Sequence, residues 1–180
     1  PIAAMLPLSA SSRVLDVGGG SGAFAIAMAK RHSGLQAVVF DLPNVVPLTQ
    51  HYVSAAGLSH VVTTATGDYL ADPLPGGFDL VFLSAVVHSN GSVPNAALIG
   101  KCAAALNPGG SMAIVDWVMS PDRVAPAGGA MFALNMLVAT DGGDTYTESE
   151  IRGWLATAGL ENVQRLATPF GTDVITATKK

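Results

Sequence analysis

The chain has a single cysteine, Cys102, in 180 residues. It cannot close an internal disulfide, and it cannot build a cysteine zinc site. So little thiol fits a reducing cytoplasm, and the alanine-rich stretch around Cys102 predicts a small, buried, apolar role for it. Charge is scarce too, at 12% Asp, Glu, Lys and Arg, where about a quarter is usual. That shortage predicts a surface covered by another domain or subunit. No Lys/Arg cluster occurs, and a net charge of −4 with pI ≈ 5.4 argues against a nucleic-acid partner. No apolar run reaches the ~18 residues of a membrane span, and no secretory leader is visible. A cytoplasmic protein without a membrane partner is expected. The chain opens on Pro1 and not on methionine, so it reads as part of a longer protein.

What is abundant is apolar: 49% of residues are hydrophobic. At this length the chain reads as one domain, residues 1–180, with a full core. Apolar runs and helical patterns alternate. Strands are predicted at 13–18, 36–41, 61–66, 78–83 and 112–116, and helices at 21–31, 44–56 and 94–106. Asn107-Pro108-Gly109-Gly110 is a breaker run before the fifth strand. The pattern is that of a doubly wound, mostly parallel α/β sheet. After it come a methionine-containing helix over 127–140, a helix capped by Thr147 with Glu150 three residues on, and a closing hairpin at 163–167 and 173–178.

The most informative stretch is Val14-Leu15-Asp16-Val17-Gly18-Gly19-Gly20-Ser21-Gly22. It reads as a buried strand entering a glycine turn and then a helix, whose free N–H groups face whatever occupies the turn. Two motifs overlap. Gly18-x-Gly20-x-x-Ala23 satisfies a dinucleotide fingerprint, and Asp16-x-Gly18-x-Gly20-x-Gly22 satisfies the acidic-x-G-x-G-x-G pattern of S-adenosylmethionine (SAM) enzymes. Asp16 favours the second. A carboxylate repels a pyrophosphate and attracts a sulfonium and an ammonium.

In open α/β sheets, ligands bind beyond the carboxyl ends of the strands. Asp41 ends the second strand about twenty residues past the glycines, where it can accept from ribose hydroxyls or, alternatively, cap the next helix. Asp68 could accept from an adenine amino group and Tyr69 could stack on the ring, unless the segment is an ordinary turn. His88, just past the fourth strand, is placed for general-base work; the alternative is a loop histidine bonded to a carbonyl. Asp116, ending the fifth strand, could orient it, or be a surface carboxylate. His32 falls at a helix end, and His51 and His60 read as surface residues.

With these residues in view, the chain resembles the SAM-dependent O-methyltransferases of the plant caffeic acid and isoflavone type, and more closely their bacterial acetylserotonin- or polyketide-type relatives. The resemblance covers nearly the whole chain. It rests on Leu15–Gly22, Phe40-Asp41-Leu42-Pro43, Gly67-Asp68-Tyr69, Phe78–Val81, the histidine after strand four, Leu106–Gly110, Ile114-Val115-Asp116, and Gly142-Gly143 before Tyr146-Thr147.

The resemblance implies a Rossmann-like, seven-stranded sheet with an antiparallel final hairpin. It implies an N-terminal helical domain, absent from this chain, that forms a homodimer. SAM is the implied cofactor, with Asp16, Gly18 and Gly20 at its methionine part, Asp41 and Leu42 at the ribose, and Asp68 and Tyr69 at the adenine. Ser84 stands where plant members carry a cofactor-contacting lysine. His88 falls on the catalytic base, with Asp116 flanking it. Met136 falls on an acceptor-packing methionine, with Phe132 and Asn135 expected nearby; Met131 is expected in the core. The implied substrate is a hydroxylated small molecule, and no metal is required. Two positions depart from the family: Ser89-Asn90 replace an Asp-Trp pair, and Thr145 stands where a second flanking acid is found, with Asp144 adjacent. Both bear on how well His88 is oriented. Outside the resemblance, a nicotinamide-dependent oxidoreductase and a non-catalytic SAM-fold module are the alternatives.

Overall fold

The computed structural model describes residues 2–9 and 11–180. Its strands are β1 (Arg13–Val17), β2 (Gln36–Asp41), β3 (Val62–Thr66), β4 (Phe78–Ser84), β5 (Leu106–Asp116), β6 (Val118–Met119), β7 (Tyr146–Thr147), β8 (Leu160–Ala167) and β9 (Asp173–Lys179). Its helices are α1 (Ala23–Arg31), α2 (Val46–Ala55), α3 (Ser92–Ala105), α4 (Ala127–Ala139) and α5 (Glu148–Thr157). Seven strands form one sheet in the order β3-β2-β1-β4-β5-β9-β8. The first five pair in parallel, and β9 runs against both β5 and β8. This is the expected seven-stranded α/β sheet with its antiparallel end.

Alternation along β1 explains why helices cover both faces. Val14 turns to one side and packs with Met28 of α1 and Leu80 of β4. Leu15 turns to the other and joins Leu98 and Ile99 of α3. Both are fully buried, so β1 is apolar on both faces, as a central parallel strand must be. Cys102 lies in the same core, fully buried, and burial pushes its thiol up to about 12, an inert packing residue. Thr147 and Glu150 form the expected reciprocal capping box, and Gly159, in the left-handed region, ends the turn beyond α5.

Three details differ from the sequence expectation. The breaker run 107–110 ends α3 but does not precede the strand: β5 pairs with β4 at Leu106–Phe78 and resumes at Ser111–Leu80. The four residues between bulge out, and Asn107 secures the bulge by donating from Nδ2 to Asp79 Oδ1 (2.9 Å). The small β6–β7 ladder was not expected, since two-residue strands carry no periodicity. Met131 is not in the core. It is 67% exposed, on a face of α4 that also exposes Leu134, Leu137 and Val138.

The strand order reverses between β1 and β4, and this switch point opens a crevice beyond their carboxyl ends. The glycine turn leaves β1 there, and the segment Ala85–Gly91 leaves β4 beside it. No helix among the described residues is long and apolar enough to cross a membrane.

Candidate active site

The glycine turn is held open by its own backbone. Gly18 and Gly20 have φ of 66° and 56°, the left-handed region that costs a residue with a Cβ about 1–2 kcal/mol. A side chain at Gly20 would meet nothing within 4 Å, so this point faces open space. Asp41 braces the turn: its Oδ2 accepts from the Gly20 N–H (2.8 Å) and its Oδ1 from the Leu42 N–H (2.8 Å). Asp41 does not cap α2, whose cap position is Val45 without a side-chain bond. A carboxylate offers about four acceptor positions, so bracing leaves Asp41 room for ribose hydroxyls. Leu42, next in the chain, is 40% exposed.

Asp16 lies beneath the same turn. A Cβ at Gly19 would fall 2.7 Å from its carboxylate. Asp16 is buried, and its Oδ2 has no hydrogen-bond partner. Burial raises its pKa to about 7, against a lowering by the Ala25 N–H, and the nearby Asp41 charge raises it further. An orphaned buried carboxylate oxygen, a second carboxylate, and a backbone stretch open to approach suit a ligand carrying positive charge and ribose hydroxyls. They do not suit a pyrophosphate. The residues present therefore fit SAM. Tyr69 lies over the turn, with its ring 3.5 Å from the position of a Cβ at Gly18. Its phenol is pushed up by burial, and the Asn90 carboxamide opposes that shift. Asp68 forms a turn, accepting at Oδ1 from the Leu70 N–H (2.8 Å) while its own N–H donates to Asp72 Oδ2 (2.8 Å). One of its oxygens is left outside the turn's bonds.

Across the crevice, a short 3₁₀ turn, Val87–Ser89, carries His88. Its Nδ1 lies 2.9 and 3.0 Å from the two oxygens of Asp116, and its backbone N–H donates to Asp116 Oδ2 (3.3 Å). Asp116 also accepts from the Trp117 N–H (2.8 Å) and is only 3% exposed. It is not a surface carboxylate. A carboxylate against Nδ1 fixes the proton there and leaves Nε2 as the acceptor. The Phe132 ring meets the imidazole edge-on, with centroids 4.8 Å apart.

His88 and Asp116 border a cavity of about 540 Å³. Phe24 of α1, Trp117, Phe132 of α4 and Phe170 of the β8–β9 hairpin form its aromatic walls. Ser84 reaches this cavity from the end of β4. Of the three expected acceptor residues only Phe132 does so. Asn135, three residues on from Phe132 in α4, is exposed and does not line the cavity. Met136 shares the face of Phe132, but it lies one turn further along the helix, about 6 Å, and is buried outside the cavity. Among the described residues no group of three or more His, Cys, Asp or Glu side chains is placed to hold a metal.

Residues 2–161 match the family described as the O-methyltransferase domain. The chain belongs to that family. This decides the choice that the two overlapping glycine motifs left open. A 3-hydroxy-5-methyl-1-naphthoate 3-O-methyltransferase of Streptomyces sahachiroi is 37% identical over 99% of this chain and 52% of its own length. A crystal structure of an O-methyltransferase family 2 protein from Planctomyces limnophilus in complex with apigenin superposes with a TM-score of 0.93 at 28% identity, over 99% of this chain and 55% of that one. Human N-acetylserotonin methyltransferase in complex with SAM gives a TM-score of 0.88 at 29% identity, covering 99% and 50%. The chain thus spans about half the length of the curated relatives it matches.

Ser89-Asn90 and Thr145 are the positions where the resemblance implied other residues, and at Asn90 the O-methyltransferase domain has a structural brace. Asn90 is buried; its Nδ2 donates to the Val86 carbonyl (3.1 Å) and to Asn95 Oδ1 (3.3 Å). Asn95 in turn donates to the carbonyls of Val87 (2.8 Å) and Asn90 (3.3 Å), and the Tyr146 hydroxyl also donates to the Asn90 carbonyl. A Cβ at Gly143 would collide with the His88 carbonyl at 2.3 Å, so only glycine lets that loop pack there. Thr145 is buried. Asp144 is ion-paired to Arg123 at 2.9 Å, and among the described residues Asp116 is the one carboxylate partner of His88. Sequence reasoning missed Asn95, Tyr146 and Gly143 as braces of the His88 loop, and Phe24 and Phe170 as walls. The paired asparagines either side of Gly91 were a readable signal; the two phenylalanines had none, because Phe24 looks like ordinary core and Phe170 falls in the turn of the expected hairpin.

Proposed function

We propose that this chain is the catalytic domain of a SAM-dependent O-methyltransferase that methylates a hydroxyl of a small aromatic or polyketide-like acceptor, with His88 as general base. The observation that carries this reading is the His88–Asp116 pair bordering an apolar cavity, together with a glycine turn whose Asp16 is buried with one carboxylate oxygen unpartnered. When bound, SAM supplies a methyl group on a sulfonium, already a good leaving group. The chain's task is then alignment and proton removal. A phenol near pKa 10 is a weak nucleophile at neutral pH. His88 Nε2 accepts its proton, and Asp116 holds the ring and stabilises the imidazolium, a contribution of roughly 10²–10⁴-fold. Gly18, Gly20 and Asp16 hold the methionine end, Asp41 with Leu42 the ribose, and Asp68 and Tyr69 the adenine. Ser84, lining the cavity from the end of β4, would contact the cofactor. The uncovered apolar face of α4 supports a homodimer formed through a helical domain outside this chain. A cytoplasmic location belongs to the same reading.

The test is transfer of labelled methyl from SAM to a panel of phenols and hydroxynaphthalenes by the full-length protein. Stoichiometric ether formation is expected. SAM binding without transfer to any acceptor would leave a non-catalytic module, and saturable NAD binding in place of SAM would leave an oxidoreductase.

A further inference from the structure

The proposed methyltransferase reading leaves the charge of the acceptor open, and the cavity bears on it. Its walls are aromatic: Phe24, Trp117, Phe132 and Phe170. Its polar side chains are Ser84, His88, Asp116 and Thr172, and none is lysine or arginine. The chain has nine such cations in all. The cations nearest in sequence to cavity-lining residues, Lys30 and Arg31, are exposed in the last turn of α1 and do not line the cavity, and the next nearest are already paired. Arg165 is tied to Asp173 and Glu148, and Arg123 to Asp144 and Glu150. Protonated His88 offers no spare positive charge either, because Asp116 stands 2.9 Å from its Nδ1. A ligand carboxylate entering this space would lose its water, gain no counter-charge, and lie near a buried carboxylate.

We infer that the acceptor is an uncharged, planar phenol of two or more fused rings, and that the site rejects acceptors bearing a carboxylate. A cavity of about 540 Å³ lies within the usual range for drug-sized ligands. Four aromatic walls favour flat rings by offset and edge-on contacts. The inference sets this chain apart from its Streptomyces sahachiroi relative, whose name specifies a naphthoate.

The test uses the full-length protein saturated with S-adenosylhomocysteine (SAH) and follows Trp117 fluorescence during titration with three probes: 2-naphthol, 3-hydroxy-1-naphthoate and the methyl ester of the latter. At pH 8, naphthol and the ester should bind at least tenfold more tightly than the carboxylate, the ester showing that charge and not size decides. Thr172→Arg, on the rim, should narrow that gap severalfold by raising carboxylate affinity. Equal or tighter binding of the carboxylate overturns the inference, and so does failure of all three probes while SAH binds; either leaves the methyltransferase reading standing. Failure of SAH itself to bind overturns both.

Discussion

The β1 side of the cleft and the β4–β5 side are built differently. On the first, main-chain amides and carboxylates do the work: Gly20 donates to Asp41, and Asp16 lies buried beneath Gly19. These parts are close in sequence, and the backbone conformation itself is the feature. On the second, one polar pair, His88–Asp116, stands among aromatic side chains drawn from α1, α4, the end of β5 and the β8–β9 hairpin. The donor side needs fixed geometry, which a short motif can encode. The acceptor side needs only shape and low polarity, which many sequences supply from distant elements.

The sharpest way to separate the two sides is His88→Gln in the full-length protein. Turnover should fall by roughly 10²–10⁴-fold, while SAM affinity measured by calorimetry stays within about twofold. Near-normal turnover would remove His88 from the base role, and a parallel loss of SAM affinity would merge the two sides.

Asp16 tests the donor side through pH. Its folded pKa, about 7, lies above the ordinary 3.8, so between those values the folded state holds a proton that the unfolded state has released. Its contribution to stability therefore falls as pH rises from about 4 to 7, and the penalty is complete above that window. Asp16→Asn should flatten this fall and stabilise the chain at pH 8 relative to pH 5 by an amount on the order of a few kcal/mol. Urea denaturation at the two pH values checks it; an unchanged pH dependence would mean that Asp16 is not the group responsible.

A smaller effect is expected in the brace of the His88 loop. Asn95→Ala leaves the Val87 carbonyl without its 2.8 Å partner and should cost about 1–3 kcal/mol. If the brace also orients His88, the pH–rate profile should shift as well; a thermal shift with an unmoved profile would confine Asn95 to stability. Smallest of all, Asn135→Ala, on the exposed side of α4, should change stability by less than about 0.5 kcal/mol and acceptor affinity less than twofold. A larger loss of acceptor affinity would bring α4's outer face into the site.

The same division explains what could be read in advance. The sheet was legible because β2 and β4 carry uninterrupted apolar runs, and β1 one broken only by Asp16, which a two-faced core accommodates. The cofactor turn was legible because three glycines and an acid at fixed spacing have few other uses. His88 and Asp116 stood out as polar residues at strand ends, although their 2.9 Å contact depends on β4 and β5 being neighbours, which no local pattern states. Asn135 shares a helix with Phe132 yet does not line the cavity, because membership of a helix does not fix which of its residues reach a given space. Met131 misled because an apolar residue in a helix is ordinarily core, and α4 here exposes an apolar face. Asn90 looked like a defect in the family pattern and proved to be a buried brace, since its hydrogen-bond partners include Asn95, Val86 and Tyr146.

The account depends most on a cationic adenosyl donor seated on the glycine turn, and calorimetric titration of this chain with SAM and with NAD is the most direct measurement of it. One saturable site for SAM, weakened at least tenfold by Asp41→Ala, with no heat from NAD, is the predicted result. Saturable binding of NAD with none of SAM would contradict it.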